Sequence, residues 1–167
     1  MSLANTPVWT GGCQCGAVRF RAEGALGRAS VCHCRMCQKA TGNFYAPFAQ
    51  VGDARLTWTR GALKHFASSN DARRGFCGNC GTPLTFEASD GVALAIGSFD
   101  EAEAIAPVIA WGVEAKLPYV DDVPGLPAHR TEDDPDLQGI LPSLVSYQHP
   151  DHDTETWQPR PGTEEKP

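Results

Sequence analysis

Apolar and polar residues alternate in short runs over the first two-thirds of the chain. The run AVRFRAE, residues 17–23, alternates apolar with charged residues. That period of two puts one face of a strand against a core and the other in water. Residues 44–51, 55–59, 63–66, 83–87, 92–97 and 107–111 also read as strands, most of them separated by turns such as VGDA, TRGA and SDGV. Helical spacing is confined to one or two turns beginning near Met36 and to residues 142–147. Regular short strands with turn signals predict a mainly β protein, a small domain of two packed antiparallel sheets with few short helical turns.

The pattern changes after Tyr119. Residues 121–167 hold eight of the thirteen prolines and eleven Asp/Glu against three Lys/Arg, which is poor core material. The chain therefore divides into a β domain over 9–119 and an acidic, Pro-rich extension over 120–167. Within the extension, LQGILPSLVSY (137–147) is apolar enough to cover part of the domain or a neighbouring subunit, which leaves a homodimer open. At 167 residues the length suits one domain. There is no run of eighteen apolar residues to span a membrane, and MSLANTPVW lacks the basic and apolar regions of a signal peptide. A cytoplasmic protein is expected, in a compartment where clustered thiols bind metal more often than they pair as disulfides.

Charge sharpens the division. Residues 13–80 carry ten Lys/Arg against three Asp/Glu, a balance of +7, and residues 81–167 carry four against seventeen, a balance of −13. The acidic second half argues against nucleic acid as a partner, because phosphate contacts need a basic surface. The basic first half suits a small anionic ligand, though a bare composition shift between core and tail would look the same.

All seven cysteines fall in that first half. GFCGNCGT (75–82) is a Cys-x-x-Cys knuckle whose glycines let two sulfurs face one ion, and GGCQCGAV (11–18) adds a glycine-flanked Cys-x-Cys pair. Cys13, Cys15, Cys77 and Cys80 together make a closed four-thiolate zinc site, structural in kind, whose binding energy adds to folding. VCHCRMCQK (31–39) supplies the other three, Cys32, Cys34 and Cys37. No cysteine is left to complete that second set. Its fourth ligand is His33, a remote residue such as His65 or a carboxylate of DEAE (100–103), water, or an exogenous molecule. An open position is what catalytic zinc keeps for a substrate. A second closed structural zinc, or one zinc with a loose thiol cluster, would use the same residues.

Three thiolates on Zn²⁺ make a weak Lewis acid and a poor source of hydroxide, whereas a soft exogenous thiol is a natural fourth ligand. The chemistry then tilts toward carbon–sulfur bonds: addition of a held thiolate to an aldehyde gives an S-hydroxyalkyl adduct, and the reverse is a lyase reaction.

GGCQCGAVRF, VCHCRMCQKATG and GFCGNCGTPL, in this order and spacing, resemble the glutathione-dependent formaldehyde-activating enzyme family, whose domain also occurs in a centromere protein. The resemblance runs from Trp9 to Tyr119. It implies an Mss4-like fold, two Zn²⁺ per chain, glutathione as co-substrate and formaldehyde as acceptor. By resemblance Cys13, Cys15, Cys77 and Cys80 hold the structural ion, and Cys32, Cys34 and Cys37 hold the catalytic one. The family often carries a His-Ile pair before a Lys-x-x-aromatic ending; here PVIAWGVEAKLPY (107–119) keeps Lys116 and Tyr119 but has Ala110-Trp111.

Arg35 and Lys39 flank the open-site cysteines and are candidates to grip the carboxylates of glutathione, as are Arg73 and Arg74; solvated surface charges are the plainer reading of each. His33 and His65 are candidates to move protons, an ordinary surface or core histidine being the plainer reading of each. His129, His149 and His152 read as surface residues of the tail, and Trp9, Trp58 and Trp111 as core or strand-face aromatics. Two rivals remain: a non-catalytic zinc-binding interaction module of Mss4-like fold, and a methionine sulfoxide reductase relative. The latter needs a free cysteine that the two clusters do not leave.

Overall fold

Residues 6–158 are described by the computed structural model. The strands are β1 (Val8–Gly12), β2 (Arg19–Glu23), β3 (Ala29–Cys32), β4 (Ala46–Gln50), β5 (Arg55–Arg60), β6 (Leu63–Ala67), β7 (Arg73–Cys77), β8 (Pro83–Ala88), β9 (Gly91–Ala95) and β10 (Ile109–Trp111). One α-helix, α1 (Arg35–Thr41), interrupts them between β3 and β4. A three-stranded sheet runs β1-β2-β5 and a seven-stranded sheet runs β10-β3-β4-β9-β8-β7-β6. Every pairing is antiparallel except β10 against β3. The expected mainly β architecture of two sheets is the one observed.

Alternation explains why the sheets meet. In β5, Arg55, Thr57 and Thr59 face water while Leu56 and Trp58 turn inward. In β2, Phe20 and Ala22 are fully buried and pack against Ala29, Ala49 and Leu94 of the larger sheet. Phe20 meets Phe99 and Trp58 edge-on, at centroid distances of 5.1 and 6.0 Å, an arrangement favoured by ring quadrupoles. Burying Phe20 alone is worth roughly 2–3 kcal/mol.

The structure departs from the sequence reading at particular elements. β1, β3 and β7 were not expected: VWTGG and RRGFC do not alternate, and ASVC is only four residues long. Residues 92–97 end their strand early, in a 3-10 turn at Ile96–Ser98. The helix expected over 142–147 is a single 3-10 turn, Leu141–Ser143, with Pro142 inside it.

The extension is not merely solvated. Residues 149–157 dock on the smaller sheet and the Cys13–Cys15 loop. The His149 N–H donates to the Gln14 carbonyl at 2.7 Å, and Trp157 Nε1–H donates to the Cys15 carbonyl at 2.6 Å. Arg60 reaches Thr154 from β5. His149 is thereby a docked residue and not a free surface histidine. It lies so close over Gly16, at φ +77°, that a Cβ there would come within 2.1 Å of its ring.

Candidate metal centre

The four-cysteine cluster joins the β1–β2 turn to the β7–β8 turn. Gly81, at φ +78°, turns the second knuckle, and its N–H closes back on the Cys77 carbonyl at 3.0 Å. Cys13, Cys15, Cys77 and Cys80 bring their sulfurs within 4.8 Å of one another. Cys13 and Cys15 lie 3.6 Å apart and Cys15 and Cys77 3.8 Å apart. The edge of a sulfur tetrahedron around zinc, at about 2.3 Å per bond, is about 3.8 Å, so the set fits the ion. N–H groups of Val18 and Asn79 point at the sulfurs of Cys13 and Cys77, at 3.2 and 3.4 Å. Thr82 holds the loops together: its hydroxyl accepts from the Gln14 N–H and lies 3.1 Å from Cys80 Sγ.

The second cluster is local. β3 delivers Cys32, Cys34 caps α1 by accepting the Cys37 N–H at 3.4 Å, and Cys37 sits buried in the first helical turn. These three sulfurs also lie within 4.8 Å of one another. Gln38 fixes the loop from within: its side-chain amide, itself buried, donates to the carbonyls of His33 at 2.6 Å and Ala115 at 3.0 Å. The His33 N–H donates to the Trp111 carbonyl at 2.7 Å. Gly112 follows at φ +62°, where a Cβ would come within 2.6 Å of the Cys34 nitrogen.

Crowding shows in the acid–base behaviour of both sets. Burial pushes Cys13 and Cys15 up, while Cys80, also raised by burial, is held down at about 6 by hydrogen bonds from Thr82 and Cys15. Burial pushes Cys32 up to about 12. Cys34 is lowered: burial raises it, but hydrogen bonds from the Cys37 N–H and the neighbouring thiols prevail. Closely packed sulfurs cannot all ionise alone, and a divalent cation removes that conflict.

None of the remote candidates completes the second cluster among the described residues. His33 is buried, with its ring edge-on to Tyr45 at 5.3 Å and Nδ1 without a partner, and it does not join the three sulfurs. His65 Nε2 lies 3.0 Å from Glu87 at the far edge of the sheet. Asp100 binds Arg19 and Thr10 on the smaller sheet. Neither Glu101 nor Glu103 enters a cluster.

Two cavities flank the second cluster. One, of about 710 Å³, has Cys32 and Cys37 in its wall with Arg28, Gln50, Phe86 and Trp111. The other, of about 520 Å³, is lined by Arg35, Lys39, Phe66, Arg74 and Phe76. Phe48 lines both. Arg35 and Lys39 therefore face the cavity that lacks the cysteines, with Arg35 also donating to Gln38 Oε1 at 3.1 Å. Arg73 pairs with Glu87 at 2.6 Å, but Arg74 is buried and its Nη2–H donates to Cys37 Sγ at 3.4 Å. Trp9 packs on Phe99 and Trp58 on Phe20, as strand aromatics do, whereas Trp111 is half exposed with the Arg28 guanidinium 5.6 Å above its ring. Sequence reasoning missed Arg28 as a cavity residue; its partner Trp111 is 83 residues away, and no local pattern links them.

A two-sheet β fold carrying a four-sulfur and a three-sulfur cluster defines a small β protein with cysteine clusters able to hold metal. Residues 8–114 match the family described as glutathione-dependent formaldehyde-activating enzyme, and the chain belongs to that family. An uncharacterized lyase of Schizosaccharomyces pombe is 32% identical over 85 residues, covering 51% of this chain and 61% of that protein. The matched region thus spans less than two-thirds of that relative's length. A solved structure of a Rhodobacter sphaeroides protein aligns at 22% identity and a TM-score of 0.44, over 60% of this chain and 98% of the other. No helix among the described residues is long and apolar enough to cross a membrane.

Proposed function

We propose that the chain is a zinc-dependent carbon–sulfur lyase that joins a small thiol, glutathione, to an aldehyde such as formaldehyde, and releases it in reverse. One observation carries the reading. Three sulfurs gather with no fourth side-chain ligand among the described residues, and two of them open onto a cavity large enough for a substrate. Cys32, Cys34 and Cys37 hold the catalytic ion, and Cys13, Cys15, Cys77 and Cys80 the structural one. Residues 9–119 form the catalytic domain. A zinc ion held by Cys32, Cys34 and Cys37 would supply a Lewis acid that favours the thiolate form of a thiol.

The chain's own residues do the rest. Cys32 and Cys37 present the open side of the cluster to the cavity, and the apolar faces of Phe48, Phe86 and Trp111 thin the water around it. Arg28 and Gln50 on the same wall offer N–H donors to the aldehyde oxygen as negative charge develops there. The sulfur–carbon bond forms as the carbonyl π pair moves to oxygen, which then takes a proton from solvent. Arg35 and Lys39, beyond Phe48, face the neighbouring cavity, where a peptide thiol's carboxylates would extend. A cytoplasmic location suits this reading, because clustered thiols stay reduced and free to bind metal there.

The test is zinc content per chain in wild type and Cys34→Ser, with and without glutathione, beside NMR of S-hydroxymethylglutathione formation. About two zinc ions are expected, one of them lost selectively in the variant together with the adduct-forming activity. About one ion, indifferent to mutation and thiol, would leave a stapled interaction module instead.

A further inference from the structure

Among the described residues two arginines are almost wholly buried, and they are paired in opposite ways. Arg19, 3% exposed, is held by Asp100 at 2.5 Å and Asp153 at 2.8 Å. Arg74, 8% exposed, has no carboxylate within ion-pair reach among the described residues. Its Nε–H donates to Ser68 Oγ at 3.0 Å, its guanidinium lies 5.0 Å from the centre of the Phe86 ring, and Nη2–H donates to Cys37 Sγ at 3.4 Å. A hydroxyl and a ring face solvate a cation but do not neutralise it, and an unpaired buried charge is strongly disfavoured. The nearest group able to carry a compensating negative charge is the Cys37 sulfur, 3.4 Å from Nη2.

We propose that Arg74 is the counter-ion of the three-cysteine site and sets it to take an anionic fourth ligand, a thiolate, in preference to a neutral one. The proposal rests on the reading that Cys32, Cys34 and Cys37 hold a zinc ion. Three thiolates around Zn²⁺ carry a formal charge of −1, and Arg74 brings the assembly to zero. A thiol that binds there gives its proton to solvent and adds one negative charge, so the assembly returns to −1; without Arg74 it would reach −2. A neutral donor such as imidazole adds no charge and is little affected by the arginine.

Placement supports a role at the metal rather than in the sheet. Arg74 comes from β7, which is separated from β4 by β8 and β9, and it bridges the wall of one cavity to a sulfur of the other. On Cys34 the equivalent donor is the local Cys37 N–H, which carries no full charge. Arg74 acts through Cys37 and is a positioning residue.

The experiment loads wild type, Arg74→Met and Arg74→Lys with cobalt(II) and titrates each with 2-mercaptoethanol and, separately, imidazole at one fixed pH. Visible d–d absorption reports binding. Arg74→Met should weaken the thiol about 10–100-fold while leaving imidazole little changed, and Arg74→Lys should recover most of the thiol affinity. Equal weakening of both ligands, or thiol binding unchanged in Arg74→Met, overturns the proposal. Should Arg74→Met fail to fold, Arg74→Gln, which keeps a donor without the charge, takes its place with the same expectations. Metal content separates the two levels of failure. Wild type that holds a single ion, silent to both ligands, defeats the three-cysteine reading and this proposal with it. Two ions with no ligand selectivity lost in the uncharged variant defeats this proposal alone.

Discussion

The two sulfur clusters use similar sequence pieces to opposite ends. One gathers ligands from positions 13 to 80, ties two turns of different sheets, and has a full set of four. The other takes three ligands from six consecutive positions, ties nothing distant by itself, and opens onto a cavity. A cluster that closes a long loop removes much chain entropy and stabilises the fold, whereas a cluster within one turn removes almost none and is free to serve a ligand.

Substitution separates them most sharply. Cys77→Ser should abolish cooperative thermal unfolding, since structural zinc is worth about 10 kcal/mol or more to a small domain. Cys34→Ser should keep the fold, because serine also caps helices well, and cost no more than about 2 kcal/mol. Comparable losses in calorimetry would mean that the second cluster is a staple too.

The ion pair beside the first cluster gives an effect smaller than loss of that cluster. Asp100→Asn removes one of two carboxylates from buried Arg19 and should cost about 3 kcal/mol in urea unfolding. Burial raises Asp100, but Arg19 and Thr10 more than offset it, so its pKa lies below the ordinary aspartate range. The pair's contribution is therefore complete above the ordinary value of about 4 and is lost as pH falls below it through the depressed one. Wild type should lose stability over that acid window, and Asp100→Asn should show a flatter profile. The smallest effect belongs to the tail. Trp157→Phe leaves the Cys15 carbonyl without its N–H donor and should lower stability by about 1 kcal/mol, with zinc retained.

Legibility in the sequence followed the range of the interactions. Cys-x-Cys and Cys-x-x-Cys spacings declare two ligand pairs, and the odd cysteine count declares an incomplete set, so both clusters could be read residue by residue. Strands β2, β5 and β8 alternate in sequence and were legible; β7 begins with two arginines, one exposed and one buried, and its register shifts between Gly75 and Phe76. That is why Arg73 and Arg74 looked alike in sequence yet have unlike surroundings. Tail docking rests on single polar groups meeting the Cys13–Cys15 loop, and such contacts leave no periodic trace.

The parallel pairing of β10 with β3 has a consequence for the order in which a ribosome delivers the parts. Once Cys80 has emerged, all four ligands of the first cluster exist, and they can load an ion while the rest of the chain is still being made. The loop of Cys32, Cys34 and Cys37 must wait for the Trp111 carbonyl, for Gly112 and for the Ala115 carbonyl, which brace it from a later stretch. That delay is about 35 residues, or roughly two to seven seconds of translation. The four-cysteine set is thus complete before the three-cysteine loop is framed. Nascent chains interrupted soon after Cys80 hold all seven cysteines but lack Leu94, Ile96 and Phe99 of the core and the brace from 111–115.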